Sequence, residues 1–284
     1  MSNLVEFVFW GSVFLLIYPY LVYPAVVLCV ARLWPKPVRL GPVEPPVSIL
    51  IPAYNEADCI LATITNKLDL DYPASKLQIV VISDGSDDGT DDIVRQFSDR
   101  GVILLRREGR EGKAAALNEA VTVATGQIVV FSDANSLFDQ DAVRRIVENF
   151  ADSEVGYVTG SLRLSDDSDG LATAGGGAYL RYENLLRSME TRMGSIIGVN
   201  GGVDAIRRDL YTEIPKNLIT DFVLPLSVIA RGKRVVFDAR VRSRETANAE
   251  LSAEFRMRVR VALRALQGLA YMRQLLNPLR FPLA

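Results

Sequence analysis

The chain has 284 residues, 49% of them hydrophobic and 23% charged, with a formal net charge of -2. That is enough material for one large core with appendages, and the balanced charge gives no pull toward nucleic acid, so no nucleic-acid partner is expected. Histidine is absent, and the two cysteines, Cys29 and Cys59, lie one inside and one outside an apolar run. Disulfide frameworks, Ser-His-Asp or Cys-His machinery and histidine zinc sites are therefore excluded, and carboxylates, Lys and Arg must carry any chemistry.

The run from Phe7 to Val30 contains no charged residue. At about 1.5 Å rise per residue it can cross a hydrocarbon core of roughly 30 Å. A transmembrane anchor is expected over 1–34, with Pro19 and Pro24 as potential kinks. A cleaved signal peptide fits less well, because Met1 to Glu6 contains no Lys or Arg. Arg32, Lys36 and Arg39 follow the span and predict a single-pass protein of the inner or plasma membrane with the remaining chain in the cytoplasm. Residues 35–46, with Pro35, Pro37, Pro42, Pro45 and Pro46, read as a stiff linker, followed by a folded domain over 47–245.

Val47 to Ile51 reads as a first buried strand, which turns at Pro52-Ala53-Tyr54-Asn55-Glu56. Ile60, Leu61, Ile64 and Leu68 at helical spacing predict a helix over 57–68. A second strand, Leu77 to Ile82, stops at Ser83-Asp84-Gly85, and the acids Asp87, Asp88, Asp91 and Asp92 suit a helix N-terminus. A third, Val102 to Leu105, leads to Gly109-Arg110-Glu111-Gly112-Lys113. Glycines before a Lys at a helix start let amides and a cation approach an anion, although the spacing is not that of a Walker loop. A helix is predicted over 114–124, and a fourth strand, Ile128 to Phe131, stops at Ser132-Asp133-Ala134-Asn135-Ser136.

Two buried parallel strands that both end in an Asp can build one acidic, cation-binding pocket at their shared edge. An Asx turn or helix cap remains open for Asp133 and Asn135. Further on, Val155 to Gly160 is a strand, and the loop acids Asp166, Asp167 and Asp169 read as solvated. A helical stretch carries Arg181, Arg187 and Arg192, and the apolar segment Ile196 to Val199, read as a strand, precedes Asn200-Gly201-Gly202, a pocket lining or a plain tight turn. Asp221 opens a helix over 223–231, as a cap or as a functional acid.

The stretches VSILIPAYNE, IVVISDGSDDGT, GREGKAAALNEAV, IVVFSDANS and ITDFVLPLSVIARGKRVVFDARV, in that order from Val47 to about Arg242, together resemble the family 2 glycosyltransferases of GT-A fold, the group of cellulose, hyaluronan and poly-GlcNAc synthases. The resemblance implies a Rossmann-like, mostly parallel α/β sheet with helices on both faces, here preceded by one transmembrane helix. It implies inverting transfer of a sugar from a nucleotide-sugar donor, UDP-linked, to a hydroxyl of a saccharide or lipid-linked acceptor, with Mg²⁺ or Mn²⁺. By the same resemblance Pro52, Ala53, Tyr54 and Glu56 face the nucleoside and Asp84 binds its uracil or ribose. Lys113 lies beside the donor, Asp133 and Asn135 hold the metal at the donor, Asn200 and Gly201 face the acceptor, and Asp221 is the catalytic base. Two departures stand out: Asn135 replaces the second acid of a D-x-D motif, and Thr220 replaces the acid that commonly precedes the base.

From Arg231 to Arg280 there are 12 Lys or Arg against four acids. Arg256, Arg260 and Arg264 beside Phe255, Val259, Leu263, Leu266 and Leu269 predict a basic amphipathic helix within 246–284, suited to an anionic membrane surface or packed on the domain. Membrane-embedded relatives carry a Q-x-x-R-W motif and further spans after such a helix, so the sequence is expected to be a shortened piece or an enzyme without the family's channel. Two other functions stay open: a catalytically inactive membrane scaffold that binds nucleotide-sugars, and a sugar-phosphate nucleotidyltransferase, which lacks support because no early G-x-G-x-R loop is present.

Overall fold

The computed structural model describes residues 2–165, 171–246 and 251–277. The N-terminal helix runs from Asn3 to Leu33, contains an 18-residue window with a mean hydropathy of 2.3, and is long and apolar enough to cross a membrane. It consists of α1 (Ser2–Ile17), a π-helical turn (Tyr18–Val22) and α2 (Tyr23–Leu33). Pro19 and Pro24, which cannot donate to the preceding turn, bracket that irregularity. The lower part of this helix is anchored: Val27 and Ala31 are buried, and the Tyr23 hydroxyl donates to Glu190 at 2.6 Å.

The proline-rich segment that follows does not stand clear of the domain. The Lys36 amide donates to the Arg192 carbonyl at 2.6 Å and the Gly41 amide to that of Glu148 at 3.1 Å. Arg39 pairs with Asp152 at 3.3 Å, and the Tyr72 hydroxyl donates to the Pro45 carbonyl at 2.5 Å. Prolines hold the backbone extended, and here the extended chain is laid along the domain surface instead of acting as a spacer.

Eight described strands form one sheet: β1 (Val47–Ala53), β2 (Leu77–Asp84), β3 (Val102–Arg107), β4 (Ile128–Ser132), β5 (Leu137–Phe138), β6 (Val155–Ser165), β7 (Val203–Arg207) and β8 (Arg234–Thr246). Their order is β3-β2-β1-β4-β7-β6-β8-β5. The first four are mutually parallel; β7 is antiparallel to both β4 and β6, β8 is parallel to β6, and β5 is antiparallel to β8. The sheet is thus parallel in its first half and mixed in its second.

Strand alternation sends successive side chains into two cores. Ile49, Ile51, Val81 and Val130 pack beneath α3 (Ala57–Leu68), α4 (Thr90–Arg95) and α6 (Ala142–Asn149). Leu50, Val80, Ile82 and Phe131 pack beneath α5 (Lys113–Val123) and α8 (Thr220–Ala230). Each such side chain contributes roughly 1.5–3 kcal/mol when fully buried. Two long helices, α7 (Leu171–Met193) and α9 (Leu251–Tyr271), complete the described elements.

Two segments differ from expectation. Ile196 to Val199 is not a strand; the chain turns at Gly201, with φ +81°, and the strand begins at Val203. The helix expected over 223–231 starts at Thr220, so Asp221 lies in its first turn. The acids Asp166, Asp167 and Asp169 lie outside the described residues, as do the side chains of Phe255, Arg256 and Arg260. In the described part of α9, Val259, Leu263, Leu266 and Leu269 are exposed, while Gly268 approaches Phe222 so closely that a Cβ would stand 2.7 Å from its ring.

The carboxyl ends of β1, β2 and β4 share one edge of the sheet. Because β7 is antiparallel, with Val203 opposite Ser132, the Asn200–Gly202 turn arrives at the same edge. The starts of α5 and α8 lie there too, so chain segments distant in sequence meet in one place.

Candidate active site

At that edge, Lys113 is the first residue of α5, set by Gly112, whose φ of +95° L side chains rarely adopt. Its ammonium lies 2.9 Å from Asp133 Oδ1 and 3.1 Å from Asp221 Oδ2. Three residues read separately from the sequence are joined by one cation. Each is about one-third exposed, at 34%, 35% and 29% for Lys113, Asp133 and Asp221, so the group opens to a cleft and is not a buried ion pair. Burial alone would push the Lys113 ammonium down, but Asp221 and Asp133 outweigh it and hold it above its ordinary value. Thr220 donates its hydroxyl to Asp221 Oδ1 at 3.0 Å. Pro225, four residues on, cannot donate to the Asp221 carbonyl.

On one side of the cleft, the turn after β1 is tied to the turn after β2. The Asn55 amide donates to Ser86 at 3.1 Å, the Asn55 side chain to Asp87 at 2.8 Å, and the Glu56 amide to Thr90 at 2.9 Å. Ala53 is buried and Pro52 half-buried; the Glu56 carboxylate accepts from the Cys59 thiol at 3.1 Å. The Arg110 guanidinium lies over the Tyr54 ring, 3.9 Å from the ring centre, a cation-π pair at the rim. Asp84, which the resemblance assigns to the uracil or ribose, is engaged within the protein. It is buried, pairs with Arg107 at 3.0 Å and accepts from the amides of Glu111 and Gly112 at 3.1 and 2.6 Å, so in this state it holds the loop that delivers Lys113.

Asn135 is exposed, two residues beyond Asp133. The loop bearing both is pinned from beneath: Thr63 donates to the Ala134 carbonyl and Lys67 to the Ser136 carbonyl, both at 2.6 Å, while the Ser136 hydroxyl donates to the Gly202 carbonyl at 2.9 Å. Lys67 escaped the sequence reading although the signal was present, since it falls seven residues after Ile60 and three after Ile64 on the apolar stripe. It is fully buried, sits 3.5 Å from the centre of the Phe138 ring, and burial pushes its ammonium well below the ordinary value.

On the other side, the Asn200 side chain is engaged by Arg187 and donates to the Gly160 carbonyl at 2.7 Å, and a Cβ on Gly201 would stand 2.7 Å from Asp221 Oδ2. Two carboxyls not singled out from the sequence lie just behind. Asp204 is buried on β7 and its pKa is pushed up to about 7, by burial first and then by the charge of Asp221. Glu245 reaches the site because β8 pairs with β5, where Arg244 faces Leu137, which brings Glu245 beside Ser136. Burial, then the charge of Asp133, pushes it up to about 7. Neither residue has a local motif; strand register alone places them.

Among the described residues no group of three or more His, Cys, Asp or Glu is shaped to hold a metal ion. Asp133 and Asn135 supply two oxygen donors at an open rim. That set fits a hard cation that keeps water and phosphate oxygens in its shell, and does not fit a closed protein cage.

Residues 48–214 match the family described as Glycosyl transferase family 2. The chain belongs to that family. It is 28% identical to the poly-beta-1,6-N-acetyl-D-glucosamine synthase of Staphylococcus aureus (strain MSSA476) over 198 residues, 68% of this chain and 48% of the relative. The chain thus spans about half the length of the curated relatives it matches. Among solved structures, the mannosyltransferase PcManGT from Pyrobaculum calidifontis, in complex with GDP-Man and Mn²⁺, superposes with a TM-score of 0.73 at 26% identity, covering 94% of this chain and 82% of that one. S. aureus TarS 1-349 in complex with UDP-GlcNAc shares the fold, with a TM-score of 0.55 at 15% identity over 72% of this chain and 59% of that one.

Proposed function

We propose that the protein is a metal-dependent inverting glycosyltransferase at the cytoplasmic membrane face, moving a hexose from a nucleotide-sugar, UDP-linked, to a hydroxyl of a saccharide or lipid-linked acceptor. The observation that carries this reading is the Lys113 ammonium between Asp133 and Asp221. A departing diphosphate must be neutralised as the glycosidic bond breaks, and Lys113 is a cation with two exchangeable carboxylate partners in an open cleft. Mg²⁺ or Mn²⁺ held by Asp133 and the Asn135 carbonyl would add Lewis-acid neutralisation of the same charge. When Lys113 turns to the diphosphate, Asp221 is freed to accept the proton of the acceptor hydroxyl, within hydrogen-bond reach on the face opposite the leaving group. Attack from that face inverts the anomeric centre.

Tyr54 and Arg110 offer a flat surface for the base of the donor. Asp84 supports the pocket by holding the loop from Gly109 to Gly112. The uridine assignment follows the family resemblance, and the GDP-Man complex of PcManGT makes guanosine its competitor. The test is binding and slow hydrolysis of UDP-N-acetylglucosamine and GDP-mannose by the full-length protein with Mg²⁺ or Mn²⁺. Metal-dependent release of a nucleoside diphosphate supports the enzyme, binding without release supports the scaffold, and binding of neither rejects the reading.

A further inference from the structure

One buried carboxyl has no part in the reaction as described. Asp204 sits in mid-sheet, opposite Phe131 of β4 on one side and Thr159 of β6 on the other, and is fully enclosed. Packing does not require an acid there, and its strand neighbours Val203, Ala205 and Ile206 are apolar. Its Oδ2 accepts from the Gly201 amide at 3.1 Å, and the hydroxyls of Thr159 and Tyr157 favour its charged form against burial. Its cross-strand partner acts in parallel: the Thr159 hydroxyl oxygen accepts from the Asn200 amide at 3.3 Å. Two paired strand residues therefore grip two successive amides of one turn. That turn abuts Asp221, and at Gly201 the absence of a side chain leaves room for the Asp221 carboxylate, since a Cβ would meet its Oδ2 at 2.7 Å.

We propose that Asp204 is a positioning residue for the transfer reaction: with Thr159 it fixes the Asn200–Gly201 amides and thereby the orientation of Asp221 toward the acceptor. This rests on the transferase reading, with Asp221 as base. Asp204 is fully enclosed, and its effect passes through the turn. Its tolerance of burial is consistent with its carrying a proton for much of the time near neutrality, which spares Asp221 a second charge behind it.

The test uses the full-length protein in detergent micelles with Mn²⁺ and UDP-N-acetylglucosamine or GDP-mannose, reading nucleoside diphosphate release for kcat and calorimetry for donor Kd. Asp204→Val is expected to lower kcat about 10²-fold, the scale of an active-site misplacement of about 1 Å. Donor Kd should stay within about twofold, because the loss falls on the transition state. Asp204→Asn keeps an oxygen for the Gly201 amide and should return kcat to within about threefold of the wild type. Gly201→Ala should reproduce the loss in kcat, and adding it to Asp204→Val should cost little more, since both act through one turn.

An Asp204→Asn loss equal to that of Asp204→Val, a loss appearing equally in donor Kd, or wild-type turnover in Asp204→Val overturns the proposal. If Asp204→Val does not fold, Thr159→Val and Gly201→Ala decide: kcat-specific losses support it, and wild-type turnover in both overturns it. A wild-type protein that binds neither nucleotide-sugar overturns the transferase reading itself, a result distinct from active protein with indifferent Asp204 variants.

Discussion

The two halves of the sheet build their shares of the cleft in different ways. In the parallel half, β1, β2 and β4 end at one edge, and the functional groups follow each strand within a few residues: Tyr54, Asp84 and Asp133. In the mixed half, β7 reaches the same edge by running antiparallel to β4 and β6, β8 by running parallel to β6 and antiparallel to β5, and Asp204 and Glu245 are set by cross-strand register. The first arrangement is written locally in the chain and the second is not. Lys113 and Asp221 join them, one from each half, through the same ammonium and carboxylate contact.

Removing that junction should give the largest effect. Asp221→Asn is expected to lower nucleoside diphosphate release by about 10²–10⁴-fold, the range for loss of a positioned base. Calorimetric donor affinity should be little changed, and turnover surviving at the wild-type rate would dissociate the acceptor half from the chemistry. Next in size, Lys113→Met should lower kcat by about 10²–10³-fold, as for loss of one charge-stabilising donor. It also leaves Asp133 and Asp221 facing each other, so Asp221→Asn added to it should cost less than the two single losses combined. Additive losses would show that the two halves act independently.

A smaller effect sharpens the contrast through stability. Asp204 is raised from 3.8, and Glu245 from 4.5, to about 7 in the folded state. A raised carboxyl keeps its proton in the fold where the unfolded chain has lost it, so this contribution to stability is complete below pH about 4 and is lost as pH rises to about 7. Asp204→Asn should match the wild type near pH 4 and exceed it at pH 7.5 by up to a few kcal/mol, at about 1.4 kcal/mol for each tenfold change in proton affinity. Thermal unfolding across that range checks the sign, and a variant less stable than the wild type at pH 7.5 would refute it.

The same division explains what could be read in advance. The strands from Val47, Leu77, Val102 and Ile128 and the helices after them were legible because apolar runs and turn residues coincide there. Lys113, Asp133 and Asp221 stood out because each closes or opens an element. Asp84 was legible as a strand-end acid, but the sequence could not show that Arg107 and two loop amides would claim it. The strand read at Ile196 to Val199 was displaced to Val203 because three glycines, Gly198, Gly201 and Gly202, break the run and Gly201 takes a positive φ. Lys67 was hidden by its apolar stem on a buried stripe, and Asp204 by a strand whose pairing no local pattern announces. The prolines of 35–46 were legible as a stiff linker, while its docking depends on partners such as Asp152 and Tyr72 from distant segments.

The most direct measurement of whether the two halves form one donor-binding centre is calorimetric titration of UDP-N-acetylglucosamine and GDP-mannose into wild-type protein and Asp133→Asn, with Mn²⁺ and after chelation. Wild-type protein should bind one of the two tightly only with the metal, and Asp133→Asn should bind it weakly and equally with or without metal. Metal-independent binding by the wild type, or an unchanged metal requirement in Asp133→Asn, would contradict the assignment of Asp133 and the cleft built around it.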